Sequence, residues 1–153
     1  KAFAERLDHP SPYNREMATA RLRRLLADQP DRAAGVLPLC KDPRPAVRAG
    51  IYRSLLGSDR PGWEDLARQA LQDGDADVRL EAFRACEQDS RHPEALIRIA
   101  LAQEDVLLRR LAIQSIQRRR AMAFQGDLER LATDPDPAVS GAAVEALAHL
   151  REP

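Results

Sequence analysis

The stretch DPRPAVRAGIYRSL, residues 42–55, decides the fold of this chain. Asp and Pro at its start predict the beginning of a helix, because an Asp side chain accepts backbone N–H groups there and Pro presets the first helical φ. From Val47 onward, apolar residues recur three and four positions apart, which is the spacing of one buried helix face. The stretch therefore predicts a helix that begins at a fixed residue and buries one side.

The same pattern recurs along the chain. The sixth residue of each copy, here called the anchor position, is separated from the next anchor by 30 to 33 residues. A fixed period of this length is typical of stacked helical repeats and not of a single irregular fold. The copies are HPSPYNR (9–15), DPRPAVR (42–48), DGDADVR (73–79), QEDVLLR (103–109) and DPDPAVS (134–140), with anchors Asn14, Val47, Val78, Leu108 and Val139.

A second helix is expected after most of these helices, so that each unit is a helical hairpin. We call the helix that carries the motif A and the following helix B. B helices are expected at 31–40, 61–72, 93–103 and 126–133, while the chain opens with a B-like helix at 2–7 and closes with an A-like helix at 137–150. The expected units are 1–8 (partial), 9–41, 42–72, 73–103, 104–133 and 134–153 (partial), within a single repeat domain, 1–153. Because neither end completes a hairpin, we expect a segment of a longer protein, whose remaining domains would adjoin it.

The pattern D-P-x-P-x-V-R-x-x-A-x-x-x-L resembles the short HEAT-like repeats named after phycobilisome lyases. The resemblance covers essentially the whole chain; it is strongest at 42–55 and 134–147 and weaker in the first and fourth copies, where Asn14 replaces Val or the prolines are missing. It implies an all-α, right-handed α-solenoid of about five helical hairpins. It further implies that A helices form the convex face and that B helices line the concave face, where ligands are usually held.

Composition narrows the class of protein. The 24 basic and 24 acidic residues cancel, and 44% of the residues are hydrophobic, which is the profile of a folded domain and not of a disordered or strongly basic one. No apolar run approaches the roughly 18 to 20 residues that a membrane-spanning helix needs. Cys40 and Cys86 fit neither a disulfide framework nor a metal site, so we expect small core residues in a reducing, cytoplasmic protein.

An arginine follows most anchors, at Arg15, Arg48, Arg79 and Arg109. The guanidinium fork suits an Asp carboxylate, so the expected role is structural pairing with the Asp of its own or an adjacent motif, such as Asp42, Asp73 or Asp75. A row of phosphate-binding guanidiniums is the alternative.

Binding of another protein or peptide on the concave B-helix face is the function that we expect. Trp and Arg are the residue types that most often dominate binding energy at interfaces. Trp63 could equally be half-buried against the preceding loop. The expected partner-binding residues are Trp63, Arg68, Gln69, Arg98 and Arg130.

A nucleic-acid-binding domain is the alternative function, with phosphate contacts from two arginine clusters near A-helix ends. Solvated surface is the simpler interpretation of such runs, since the net charge is zero and no aromatic residues are interleaved with the arginines. The clusters are Arg21, Arg23 and Arg24, and Arg118, Arg119 and Arg120.

Catalysis has little support in the sequence. His9, His92 and His149 fall in different units, and there is no H-x-x-x-H or paired Cys for a metal. Some relatives with this repeat are bilin lyases or alkylated-base glycosylases, but none of their active residues can be mapped onto this chain. We therefore expect no catalytic residue, no metal and no cofactor, and a lyase-related subunit is the least favoured alternative.

Overall fold

The computed structural model describes residues 2–57, 60–89 and 92–152, and these are helical, as predicted, with no strand among them. Short 3₁₀ turns at Pro30–Arg32, Leu37–Lys41 and Met122–Phe124 supplement the helices. Within these ranges, none of the helices combines the length and apolar character that a membrane crossing requires. The helices are α1 (Ala2–Leu7), α2 (Pro12–Asp28), α3 (Ala33–Val36), α4 (Pro45–Leu56), α5 (Trp63–Leu71), α6 (Ala76–Asp89), α7 (Pro93–Leu101), α8 (Val106–Arg119), α9 (Gln125–Leu131) and α10 (Pro137–Arg151).

The five repeated motifs each start an A helix, namely α2, α4, α6, α8 and α10. Pro occupies the first helical position of α2, α4 and α10, where its missing N–H leaves no helical bond unmade. The Asp136 side chain caps α10 by accepting from the N–H groups of Ala138 and Val139, and Asp105 accepts from that of Leu108. Each motif therefore precedes a helix start, as predicted, but Asp42 does not cap α4. Its side chain accepts from the N–H of Arg44, the N-cap residue, which makes no side-chain cap bond itself.

The expected B helix at 31–40 is wrong as a continuous element. In its place, Pro30–Arg32 and Leu37–Lys41 form 3₁₀ turns on either side of the single α-turn of α3. Pro38 interrupts the segment, because it has no N–H to donate and its ring clashes with the preceding turn. The next B helix, α5, begins at Trp63 and not at 61, since Gly62 just before it has φ 80°.

The chain divides into two compact units, Lys1–His92 and Pro93–Pro153. In the first, α4 packs between α2 and α6, while α5 lies against α4 and α6 and α1 lies against α2 and α4. In the second, α8 packs against α10, with α7 on α8 and α9 on α10. Within each unit, A helices therefore pack side by side and are backed by B helices.

The predicted anchor positions lie in the core, apart from the exposed Asn14. Val47, Val78 and Val139 are 0% exposed and Leu108 is 1% exposed. The helical spacing also predicts that Met17 of α2, three residues after its anchor, and Val144 of α10, five residues after its anchor, lie on the buried stripe. This prediction is wrong, because Met17 is 45% exposed and Val144 is 55% exposed. Both lie on helix faces that no described A helix covers.

Candidate functional site

The arginine after the anchor is a structural residue in two of the motifs, as predicted. Arg48 Nε and Nη2 donate to the two carboxylate oxygens of Asp73, at 2.8 and 2.9 Å, in the bidentate geometry that favours guanidinium–carboxylate pairs. In the second unit, Arg109 Nη1 donates to Asp134 at 2.8 Å. Each pair joins the start of one A helix to the motif that precedes the next A helix. These guanidiniums therefore stabilise the packing of successive A helices.

The same arginines also hold the turn that precedes their own helix. Arg48 donates to the carbonyl oxygen of Asp42 at 2.8 Å, Arg15 to that of His9 at 2.7 Å and Arg79 to that of Asp73 at 2.7 Å. A bond from the guanidinium back to the first motif residue closes the turn before α2, α4 and α6. This geometry disfavours the alternative of a phosphate-binding row.

His9 takes the place of Asp in the first motif. The Asp side chains at 42, 73 and 134 each accept from the backbone N–H two residues later, at 2.9 Å. In the first motif, Nδ1 of His9 accepts from the N–H of Ser11 at 3.0 Å. The imidazole nitrogen thus reproduces the turn-forming bond of the carboxylate.

The motif carboxylates are held in their charged form. Burial by itself raises the pKa of Asp73, but the hydrogen bonds from Arg48 and from the backbone N–H of Asp75 outweigh it and leave the pKa below its ordinary value. The side-chain hydrogen bond from Arg44 lowers the pKa of Asp42 to about 2. Both groups stabilise the fold as anions.

The two cysteines are buried free thiols, which agrees with the predicted core role. Burial raises the pKa of Cys40 to about 11, with the Asp73 carboxylate adding to the effect. Burial alone raises the pKa of Cys86 to about 12. A thiol that stays protonated at neutral pH is a poor nucleophile and a poor metal ligand.

A groove runs along the A helices of the first unit, and none of the B-helix residues singled out in the sequence lines it. It is a groove of about 740 Å³, formed where three helices present the same face at spacings of three and four residues. We call it the A-face groove. Leu7 and Asp8, at the end of α1, close one side of it. Its lining includes Pro12, Arg15, Glu16 and Thr19 from α2, Ala46, Ala49, Gly50 and Arg53 from α4, and Asp77, Leu80, Glu81 and Arg84 from α6.

Small residues create this groove. Ala46, Ala49 and Gly50 follow one face of α4, so the middle helix is recessed between the longer side chains of its neighbours. A chain of ion pairs runs across it, from Arg53 to Glu16 at 2.7 Å and from Arg53 to Glu81 at 3.4 Å. Ala46 and Ala49 are half-buried, so they line the groove, while Gly50 lies buried against Leu7.

The expected partner-binding residues of the first unit lie on α5, and each of them contacts a neighbouring side chain. Half-buried Trp63 stacks on His92 with ring centroids 6.0 Å apart and planes within 10°. Arg68 is exposed, and its guanidinium donates to Asp65 of the same helix at 2.9 Å. Gln69 hydrogen-bonds the buried Tyr52 hydroxyl, whose pKa burial raises to about 12.

The expected partner-binding residues of the second unit, Arg98 and Arg130, also contact neighbouring side chains. The guanidinium carbon of Arg98 lies 4.9 Å from the centroid of the buried Phe124 ring, a cation–π contact. Arg130 is exposed and donates to Asp127, three residues earlier on its helix. Arg68 and Arg130 are therefore each paired with a carboxylate of their own helix.

The members of the two arginine clusters differ in what they contact. Arg23 is half-buried and donates to the Arg53 carbonyl oxygen at 3.3 Å, and Arg120 ends α8 with φ 50° and donates to the Glu152 carbonyl oxygen at 2.6 Å. Arg119 donates to Ser115 at 3.3 Å. The remaining cluster members, all exposed, are Arg21, Arg24 and Arg118.

Across the described part of the chain, no group of three or more His, Cys, Asp or Glu side chains is placed to hold a metal ion. No family model and no curated protein matches this chain. The A-face groove and the B-helix residues are thus defined by geometry alone.

Proposed function

We propose that this chain is a HEAT-like repeat module, a right-handed α-solenoid of helical hairpins, that binds another protein and has no catalysis of its own. The repeat period, the motif that starts each A helix and the arginine–aspartate pairs between successive motifs support the architecture. The A-face groove is the observation that carries the binding function.

The dimensions of the groove suit an α-helix. The axes of adjacent packed helices lie about 8 to 10 Å apart. The axes of α2 and α6, on either side of α4, are therefore separated by roughly 16 to 20 Å. A helix with its side chains is about 10 to 12 Å across. The recessed surface of α4 therefore provides a floor on which one helix of a partner can lie.

The chemistry of the groove specifies the partner more closely. Half-buried Ala46 and Ala49 offer a flat apolar strip, and the Glu16–Arg53–Glu81 chain offers both signs of charge beside it. An amphipathic helix with a ridge of small apolar residues, flanked by acidic and basic side chains, matches both features.

A display library of amphipathic helical peptides provides the test. Peptides selected on the parent chain are expected to bind with unchanged affinity when Arg68→Glu and Arg98→Glu are introduced together, because neither residue lies in the groove. Loss of binding in that double variant, with preserved helical circular dichroism, would place the site on the B helices. Failure to enrich any helical peptide would contradict the binding function.

The B-helix face is the second candidate surface for protein binding, and the stacked Trp63–His92 pair favours it. A half-buried indole braced by a second ring is a rigid apolar contact of the kind common at binding hot spots. The double variant above discriminates between the two surfaces.

Nucleic-acid binding is the alternative class of function, and the exposed arginines of α2 favour it. Arg21 and Arg24 have no acidic partner among the residues that the structure describes. If they contact phosphates, affinity for a mixed-sequence oligonucleotide falls steeply with salt and drops again in an Arg21→Glu/Arg24→Glu variant. Absence of binding at low salt would remove this alternative.

A further inference from the structure

The α6 side of the A-face groove carries two exposed, charged side chains. Asp77 and Arg84 both line the groove and lie seven residues apart on α6. In the other four motifs, the residue just before the anchor is uncharged, so the carboxylate of Asp77 is not part of the repeated pattern. Those four residues are Tyr13, Ala46, Leu107 and Ala138.

The other arginines of the groove already have acceptors within the chain. Arg53 donates to Glu16 at 2.7 Å, and Arg44 donates to both carboxylate oxygens of Asp42 at 2.9 Å. Arg15 donates to two backbone carbonyl oxygens, at 2.7 and 2.9 Å. These three guanidiniums therefore stabilise the chain itself before any partner arrives.

Asp77 and Arg84 are bound less closely. Asp77 has no ion-pair partner among the residues that the structure describes. The Arg84 side chain is 59% exposed, and its ion pair with Glu81 is long, at 3.9 Å. At 1.5 Å per residue, the two charged residues lie about 10 Å apart along the helix. This side of the groove thus presents a negative charge near the start of α6 and a positive charge two turns later.

These two charges favour one direction for a partner helix. Two residues seven positions apart lie on the same face of a helix, two turns from each other, so one partner helix can meet both charges. Acidic side chains stabilise the N-terminal end of a helix and basic side chains the C-terminal end. An acidic residue opposite Arg84 and a basic residue opposite Asp77 follow this preference when the partner runs antiparallel to α6.

The helix dipoles favour the same direction. In an antiparallel arrangement, the C-terminal end of the partner lies beside the N-terminal ends of α4 and α6. The partial charges at these ends are negative for the partner and positive for α4 and α6, so they attract each other.

We propose that the A-face groove selects a helix that runs antiparallel to α6 and carries an acidic residue seven positions before a basic one. The acidic residue pairs with Arg84, and the basic residue pairs with Asp77. The apolar strip of Ala46 and Ala49 supplies the contact surface, while the two charges set the direction and register of the bound helix. This inference rests on the helix-binding role proposed above for the groove.

Charge exchange between peptide and protein tests the pairing. Helical peptides that bind the parent chain but not Ala49→Arg are groove binders, and these are expected to carry the acidic residue seven positions before the basic one. Replacing the basic residue of such a peptide by Glu is expected to weaken binding to the parent about tenfold in titration calorimetry. Asp77→Lys is expected to restore the affinity of the altered peptide.

The second pair is tested in the same way. Replacing the acidic residue of the peptide by Lys is expected to weaken binding, and Arg84→Glu is expected to restore it. Asp28→Lys is the matched control for Asp77→Lys, because Asp28 is exposed on α2 and lies outside the groove lining. This control is expected to restore nothing, and all three variants are expected to retain the helical circular dichroism of the parent.

The outcomes separate this inference from the proposed function. Groove binders whose altered forms are not restored by Asp77→Lys and Arg84→Glu would overturn the charge pairing and leave helix binding intact. Groove binders with the basic residue before the acidic one, restored by the same variants, would show a parallel helix and overturn the direction. If no peptide loses binding to Ala49→Arg, both the inference and the proposed site are wrong.

Discussion

At the scale of single residues, the first Asp of a motif and the Arg after an anchor each make two kinds of contact. One oxygen of Asp73 accepts from the N–H of Asp75, and both oxygens accept from Arg48 of the preceding motif. Arg48 in turn donates to the Asp42 carbonyl oxygen of its own motif. A local turn and a contact 25 residues away thus depend on the same pair of side chains.

Arg48→Met is expected to lower the free energy of unfolding by about 2 to 3 kcal/mol, because it leaves the largely buried Asp73 carboxylate without its charged donor. Urea unfolding followed by circular dichroism measures the change. Arg24→Met is the matched control: Arg24 is exposed, and its replacement is expected to change stability by less than about 0.5 kcal/mol. Equal losses in both variants would show that the Arg48–Asp73 pair is not specifically stabilising.

Both thiols are expected to react slowly in the native protein. With a pKa of about 11 for Cys40 and about 12 for Cys86, few thiolates are present at pH 8, and burial also limits access by the reagent. Labelling with Ellman's reagent is expected to be slow without denaturant and rapid for both thiols in guanidinium chloride. Labelling of the folded chain at the rate of a free thiol would contradict the core assignment.

At the scale of elements, α4 is the most enclosed helix of the first unit. It has α2 and α6 on either side and buries most of its length. A Cβ added to Gly50 would lie 2.7 Å from Cδ2 of Leu7, so the absence of a side chain lets α1 approach α4. Its small residues therefore serve two purposes, since Gly50 admits Leu7 and its neighbours Ala46 and Ala49 form the floor of the A-face groove.

Val78→Asp tests the anchor position of α6. Val78 is 0% exposed, and an unpaired carboxylate there is expected to cost on the order of 4 kcal/mol or more in unfolding free energy. Ala76→Asp, two residues earlier on the same helix at an exposed position, is the control and is expected to change stability little. An unchanged melting temperature for Val78→Asp would show that the anchor position is misassigned.

The elements were predictable where local chemistry dictates them. Asp marks helix starts because its side chain accepts backbone N–H groups, and Pro marks them because its ring fixes the first helical φ. The A helices could therefore be placed from the motif alone. The segment at 30–41 was not predictable in the same way, because Pro38 and Gly35 weaken the helix while packing on α4 still holds Cys40 in the core. Val144 was assigned to the buried stripe from its helical spacing, but burial also requires a covering helix.

At the scale of the whole molecule, several of the 24 basic and 24 acidic residues are paired with each other at fixed places. Motif aspartates accept from arginines, and the B-helix arginines Arg68 and Arg130 are paired with carboxylates of their own helices. Sequence spacing could place these arginines on B helices, but it could not show which charges were already neutralised. The A-face groove was equally hidden, since it depends on three helices that are distant in sequence.

Stability is expected to fall in acid. Carboxylates with a folded pKa below the unfolded value, such as Asp73 and Asp42, stabilise the fold fully above their ordinary pKa of about 4, and this stabilisation is lost as the pH falls through the folded value. Unfolding free energy measured in urea is therefore expected to be level from pH 7 to about 5 and to decline below about 4. Asp73→Asn is expected to be less stable at pH 7 and to lose less in acid. An identical pH dependence in parent and variant would contradict this role for Asp73.

Titration calorimetry of a selected helical peptide against the Ala49→Arg variant tests the central claim most directly. The arginine would fill the floor of the A-face groove at a half-buried position, so the dissociation constant is expected to rise at least about thirtyfold, or roughly 2 kcal/mol. Ala20→Arg, on the exposed face of α2 outside the groove lining, is the matched control and is expected to bind as the parent does. Unchanged affinity in Ala49→Arg, with the variant folded, would contradict the account.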